Sequence, residues 1–181
     1  MTAVLRLFWN ICLLRDGPET VPTHTWFLSA LIVAHLTISV FSFRFAYPTL
    51  SPLLALNWVF IGLAVTAGMA WFVLYLRNQE PRFPATLGAI VGTKAIIVGT
   101  NVLIGALTSL TWGTLTGTPR LGIGWVLTIW GLVVVGFILH RALSTRLWVG
   151  IVLSAVTWLT GVVVAQSVLG PAMSASLEAV R

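Results

Sequence analysis

Five long apolar runs separated by short polar gaps occupy most of this 181-residue chain. They extend over residues 25–43, 53–76, 86–110, 123–139 and 147–169. The hydrocarbon core of a membrane is about 30 Å thick, and a helix needs roughly 20 apolar residues to cross it. None of the runs shows the two-residue alternation of outer-membrane barrel strands. The sequence therefore predicts an all-α integral membrane protein, a bundle of five transmembrane helices.

The composition excludes a soluble globular domain. Only 8% of the residues are charged and 58% are hydrophobic, whereas soluble domains carry about 25% charged residues. The ten basic residues are scattered singly or in pairs, which is not the clustered pattern of a nucleic-acid-binding surface. We therefore expect the lipid bilayer to surround most of the chain, and we expect no nucleic-acid partner.

Residues 1–15 form a separate segment before the first run. Thr2, Arg6 and Asn10 recur at every fourth position of an otherwise apolar stretch, which places them on one face of a helix. This pattern predicts a short amphipathic helix in the membrane interface, and a re-entrant or buried helix is the alternative. Residues 16–24 are predicted as a loop, and residues 171–181 as a short C-terminal tail.

The arginines of the loops predict an orientation. If the N-terminus is cytoplasmic, that side holds Arg6, Arg15, Arg77, Arg82, Arg141 and Arg146, and the opposite side holds Arg44, Arg120 and Arg181. Positive residues are in excess on the cytoplasmic side of membrane proteins. We expect a bacterial inner-membrane protein with a cytoplasmic N-terminus and a periplasmic C-terminus.

Lys94 is the one cation inside an apolar run. Polar residues within the membrane are costly and are therefore functional candidates. Asn101 and Thr108 follow at seven-residue intervals, so the three residues share one helical face. This polar stripe predicts a water-filled path or contact with a polar partner helix. The alternative is that Lys94 snorkels to the headgroups or binds a lipid phosphate.

The three histidines suggest different chemistry. His35 lies near the centre of the first run with Ser39 and Ser42 four and seven residues later, which predicts a neutral imidazole bonded to a serine or a carbonyl; proton transfer is the alternative. His24 and His140 lie at the same predicted side, where a pair could ligate a b-type haem. Three scattered histidines without clustered Cys or carboxylates do not make a zinc site. We expect no metal and, haem aside, no cofactor.

Small residues recur at helical spacing in three of the runs. They permit close approach of helix backbones and are Gly88, Gly92, Gly99, Gly124, Gly131, Gly150, Ser154 and Gly161. No motif of an intramembrane hydrolase or metalloprotease is present, so no residue is predicted to be catalytic. The short loops also leave no room for a catalytic domain outside the membrane.

The stretch from Cys12 to Pro22 and the later stretch from Leu139 to Leu143 resemble small uncharacterised multi-span inner-membrane proteins of proteobacteria. This resemblance covers about a fifth of the chain and implies no activity.

Three functions follow from these patterns. The first is a non-catalytic membrane subunit that packs against partner membrane proteins or copies of itself. The second is a small channel or carrier with a polar path through Lys94, Asn101 and His35. The third is a b-haem electron-transfer subunit.

Overall fold

The computed structural model of the chain describes residues 2–47, 49–112 and 118–178, and within them the side chains of all but residues 2, 109–112, 118–121, 175 and 177–178. The described residues form six α-helices: α1 (Thr2–Cys12), α2 (Thr25–Ala46), α3 (Pro52–Leu76), α4 (Phe83–Trp112), α5 (Thr118–Leu143) and α6 (Leu147–Glu178). The five helices α2 to α6 are long and apolar enough to cross a membrane. The predicted fold class, with a short helix before five long ones, is confirmed.

Local sequence signals explain where these helices begin and end. Ser51 caps the start of α3 because its Oγ accepts a hydrogen bond from the Leu54 amide, and Pro52 occupies the first helical position. Helices α1, α3 and α5 are each followed by a residue with positive φ, namely Leu14, Asn78 and Ser144. After each of these, the next amide donates to a carbonyl five residues earlier, which ends the helix.

Helix α6 continues past the position at which the sequence predicts a tail. Gly170 and Pro171 lie within the helix, which extends to Glu178, and residues 179–181 lie outside the described part. A proline removes one amide donor and crowds one carbonyl of a helix, and nearby hydroxyls can bond backbone groups around such a site. The Oγ of Ser174 donates to the Pro171 carbonyl at 2.9 Å; this bond lies in the turn after the proline, whereas the carbonyl that loses its helical donor is that of Ser167. The predicted tail is therefore largely an extension of α6.

Helix α4 lies at the centre of the packing and contacts α1, α2, α3 and α5. Every residue from Thr86 to Thr93 is buried. The main hydrophobic core joins this part of α4 to α3 and α5, and its most deeply buried members include Leu74, Ala89, Ile90, Val134 and Ile138. The dense packing of this apolar face against other helices adds van der Waals contacts that stabilise the fold and that lipid contact alone would not provide.

Helices α5 and α6 form an antiparallel hairpin with very close backbones. A Cβ atom on Gly136 would lie 2.7 Å from the Ile151 Cα atom, and a Cβ on Gly150 would overlap the Gly136 carbonyl oxygen. Only glycine fits at such a crossing. The hairpin therefore depends on Gly150, which the sequence pattern selects, and on Gly136, which it does not.

The N-terminal helix α1 packs against α4. Phe8, Ile11 and Cys12 of α1 are buried, whereas Leu5 and Trp9 are exposed, and the Phe8 ring lies against Gly92 of α4. The Asn10 side chain donates to the Asp16 carboxylate at 3.0 Å and so ties the helix to the following loop. The depth of α1 relative to the lipid headgroups stays a prediction.

Candidate functional site: a cavity around Lys94

Lys94 lies in the middle of the bundle, eleven residues after the start of α4 at Phe83. At about 1.5 Å per residue this position is roughly 16 Å along the helix axis. Its Nζ atom donates a hydrogen bond to the Oγ1 of Thr66 on α3, at 3.0 Å. The Thr66 hydroxyl in turn donates to the Gly62 carbonyl at 2.7 Å. Lys94 therefore reaches sideways to a neighbouring helix, and its first contact is a neutral oxygen.

A cavity of about 210 Å³ lies beside this lysine, between α3, α4, α5 and α6. An engineered apolar cavity of about 150 Å³ accommodates benzene, so this space is large enough for a small solute or several waters. Polar side chains on its wall are those of Lys94, Thr66, Asn101, Thr128, Ser154 and Thr157. The rest of the wall is apolar, with Leu and Val side chains and Trp158.

Ser154 contributes an unpaired hydroxyl to this cavity. The residue is only 2% exposed, and its Oγ atom has no hydrogen-bond partner among the described residues. By contrast, Thr128 and Thr157 donate to carbonyls of their own helices, Gly124 O and Leu153 O. A buried hydroxyl without a partner costs about 1–3 kcal/mol. Ser154, which the sequence pattern suggests only as a helix-packing residue, is therefore a second polar group with spare bonding capacity in the cavity.

Only part of the predicted polar stripe of α4 lines the cavity. Asn101 lines the same cavity as Lys94, with an exposed side chain. Thr108 instead donates to the Ile104 and Gly105 carbonyls of its own helix, and Gly105 faces the Phe45 ring of α2. The cavity therefore uses the Lys94–Asn101 part of the stripe.

His35 and Ser39 lie on α2. Both are buried, and the His35 Nδ1 and Ser39 Oγ atoms are 3.4 Å apart. This pairing matches the geometry that their four-residue spacing predicts. Neither residue is part of the cavity wall. A role for His35 in a path through the protein stays a prediction.

The predicted helix-packing residues have different neighbours. Gly88 faces Val21 of the loop and Gly92 faces the Phe8 ring of α1, whereas a Cβ on Gly99 would meet no atom of the described residues within 4 Å. Gly161 approaches Gly62 of α3, and Gly131 approaches Ile97 of α4 at the cavity. Gly124 is also on the cavity wall. Five of these glycines thus have neighbours within this chain: Gly88, Gly92, Gly131, Gly150 and Gly161.

His24 and His140 lie at the same end of the bundle. His24 precedes the first residue of α2 with its side chain exposed. His140 is near the end of α5, and its Nδ1 contacts the Thr145 carbonyl. The described residues contain no group of three or more His, Cys, Asp or Glu that could hold a metal ion. Haem ligation by the two histidines stays a prediction.

Thr66 is the site residue that the sequence patterns missed, although a signal was present. It lies ten residues before the end of α3 at Leu76, and Lys94 lies eleven residues after the start of α4 at Phe83. Antiparallel helices joined by a short connection bring such positions to the same depth. A polar residue at the same distance from the turn was therefore a candidate partner for the lysine.

Comparison with known proteins found no relative of this chain. No family model matches the chain, and neither a curated protein nor a solved structure matches it.

Proposed function

We propose that this protein is a small channel or carrier that admits an anion into the cavity beside Lys94. The observation that carries the proposal is the contrast between the lysine and its surroundings. Its ammonium group contacts the neutral Thr66 hydroxyl at the edge of a 210 Å³ space. A cation within a membrane protein is costly unless it is paired, and an anion in the cavity would pair it.

The other polar groups of the cavity support the same function. An ammonium group has three N–H donors, and one of them is engaged by Thr66. The unpaired Ser154 hydroxyl adds another donor, and the Asn101 amide is at the wall as well. A small anion needs several convergent donors to replace its hydration shell. We place the anion path along the Lys94–Asn101 part of α4.

Flux through the purified protein in liposomes tests this proposal, with chloride and acetate as separate probes. We expect the wild-type protein to conduct at least one of them, and Lys94→Met to reduce that flux at least about tenfold because the attracting charge is gone. Lys94→Arg keeps the charge and should retain part of the flux. Arg146→Gln, which removes an exposed charge away from this cavity, is the matched control and should leave the flux unchanged.

Unfolding in detergent separates this function from a purely structural role of the lysine. Lys94→Met removes a half-buried charge whose described contact is a neutral hydroxyl, so it is expected to leave the free energy of unfolding unchanged or to raise it. A folded Lys94→Met variant with undiminished flux, or a wild-type protein that conducts neither probe, would overturn the proposal. A loss of several kcal/mol would assign the Lys94–Thr66 bond to structure instead.

A membrane-subunit function is the second candidate, and Gly99 is the observation that favours it. This glycine is open on the second half of α4, where a partner helix could approach closely. If it is a docking position, Gly99→Leu should abolish co-purification with a partner, or self-association, in mild detergent. An unchanged pattern of co-purification would remove this argument.

We also propose a cytoplasmic N-terminus, a periplasmic C-terminus and residence in a bacterial inner membrane. The turns at one end of the bundle hold Arg77, Arg82 and Arg146, and the opposite end holds Arg44. Arg181 and the Arg120 side chain lie outside the described residues. The positive-inside rule favours this orientation, which labelling from each side with a membrane-impermeant reagent checks.

A further inference from the structure

A second cavity lies at the arginine-rich end of the bundle, away from Lys94. Its volume is about 290 Å³, and it lies between the Pro18–Thr20 turn, the start of α4 and the end of α5. Two arginines, Arg82 and Arg141, are on its wall together with Glu19. These residues are far apart in the sequence, so the fold is what gathers two cations around one space.

Arg82 is held in place by the end of α5. Its Nη1 atom donates to the Ala142 carbonyl at 3.1 Å and to the Ser144 hydroxyl at 3.4 Å. A guanidinium has five N–H donors in a rigid planar fork. Both described bonds use one nitrogen, so the remaining donors of Arg82 are available for a ligand in the cavity.

The Arg141 guanidinium lies over the Phe137 ring, 5.7 Å from its centroid, and its ion pair with Glu19 is loose. Its Nη2 atom lies 3.9 Å from the Glu19 Oε1 atom, a distance beyond a hydrogen bond. The side chains of Arg141 and Glu19 are 46% and 60% exposed, and an exposed ion pair of this kind contributes little stability. The Glu19 carboxylate can therefore turn away into solvent at small cost and leave Arg141 to another anion.

We infer that this cavity binds a phosphate group, held by Arg82 and Arg141, as a phospholipid headgroup or a soluble phosphate would present it. Arginine forks match phosphate oxygens in paired, charge-assisted hydrogen bonds. The cavity lies where α4 begins and α5 ends, which is the headgroup level for helices that cross the membrane. Anionic lipids are bound at such positions by basic pockets between helices. This site is independent of the anion path proposed for Lys94.

Binding to the purified full-length protein in detergent tests the inference with two probes. One arm adds phosphatidylglycerol, with phosphatidylcholine as the lipid whose phosphate charge is balanced by choline. The other arm adds inorganic phosphate against chloride at equal ionic strength, because exposed charges are screened by salt. Bound lipid is counted by native mass spectrometry, and phosphate binding is followed by the shift in unfolding temperature.

The variants have opposite expected effects. Arg141→Gln should weaken binding about tenfold, because charge-assisted hydrogen bonds to the phosphate are lost. Glu19→Gln should tighten it about threefold, because a competing carboxylate is removed. A purely structural Glu19–Arg141 pair would give no gain in Glu19→Gln. Arg82→Lys keeps a charge but loses the fork, and an intermediate affinity is expected for it.

Two controls make the result decisive. Arg146→Gln removes an exposed arginine that lies in the turn after α5 but outside the cavity. Lys94→Met removes the lysine of the other candidate anion site. Neither variant should change the affinity of the arginine cavity for the probes by more than about twofold. Preferential binding of phosphatidylglycerol identifies a lipid headgroup, and binding of inorganic phosphate alone identifies a soluble ligand. If neither probe binds, or if Arg141→Gln and Glu19→Gln bind like the wild type, the inference is wrong.

Discussion

The two halves of α4 have the same apolar character but different surroundings. From Thr86 to Thr93 every residue is buried, whereas from Lys94 to Thr108 none is fully buried. The first half is covered by α1 and the Pro18–Thr20 turn, and by the α5 part of the core. The second half borders the Lys94 cavity. One helix thus combines a packed half with a half that has space for a ligand.

The polar residues of the two halves show the same difference. Thr86 and Thr93 in the first half are fully buried. The Thr86 hydroxyl donates to the Arg82 carbonyl in the turn before α4, and the Thr93 hydroxyl donates to the Ala89 carbonyl of α4 itself. Lys94 instead donates to Thr66 on α3. Threonine hydroxyls that bond locally need no partner helix. The described bond of the lysine is instead to a neighbouring helix, at the edge of the cavity.

The largest effect on stability is expected when the packing of α1 against the first half of α4 is weakened. Phe8 is 3% exposed and stacks on Phe27 at a centroid distance of 6.4 Å. Phe8→Ala should lower the free energy of unfolding by about 3–4 kcal/mol, because a large buried ring leaves a cavity. Unfolding in detergent as a function of added denaturing surfactant measures this change.

The matched variant for the second half is Leu103→Ala. Leu103 is 60% exposed, so its removal should change the free energy of unfolding by less than about 0.5 kcal/mol. If Phe8→Ala also changed the free energy of unfolding by less than about 0.5 kcal/mol, α1 would not be a packing element of the fold.

The buried Cys12 of α1 gives a chemical measure of how well this helix is packed. Burial raises the pKa of its thiol from the ordinary 9.0 to about 11. At pH 8 the reactive thiolate should then be about a hundredfold rarer than for an exposed cysteine. Labelling with a maleimide should accordingly be slow at pH 8 and should accelerate as the pH rises toward 11.

Phe8→Ala should remove most of this protection, because α1 then separates from α4 more often. The labelling rate of the unfolded protein gives the upper limit. A folded wild-type protein that is labelled as fast as the unfolded chain would contradict the buried position of Cys12.

The sequence was sufficient for the fold because lipid imposes a simple rule. A helix that crosses the membrane needs an uninterrupted apolar run, and each of the five runs is one helix in the structure. The first helix of the chain was less determined, since an amphipathic pattern fits either an interface or a protein surface. Its contact with α4 depends on Phe8 and Gly92, which lie far apart in the sequence.

The candidate site was predictable only in part. The membrane cost of a charge singled out Lys94, and helical spacing associated Asn101 with it. The cavity itself depends on how four helices meet, and Ser154 joins it from α6. Spacing within one helix does not contain that information. The same holds for Gly136, whose role is visible only in its approach to Ile151 and Gly150.

The smallest of the three expected effects is the difference in stability between alanine substitutions at two glycines of α4. Gly92 lies against the Phe8 ring, whereas the space beside Gly99 is open. Gly92→Ala should lower the free energy of unfolding by about 2 kcal/mol, because the added methyl group and a well-packed ring cannot share the space without displacement. Gly99→Ala should leave it unchanged or raise it by up to about 1 kcal/mol, since alanine is the better helix former.

The double variant Gly92→Ala with Phe8→Leu sharpens this test. A smaller side chain at position 8 makes room for the methyl group, so the double variant should lose less stability than the sum of the two single variants. Strict additivity would mean that the two residues do not touch, and the covered half of α4 would then differ from the open half for some reason other than the docking of α1.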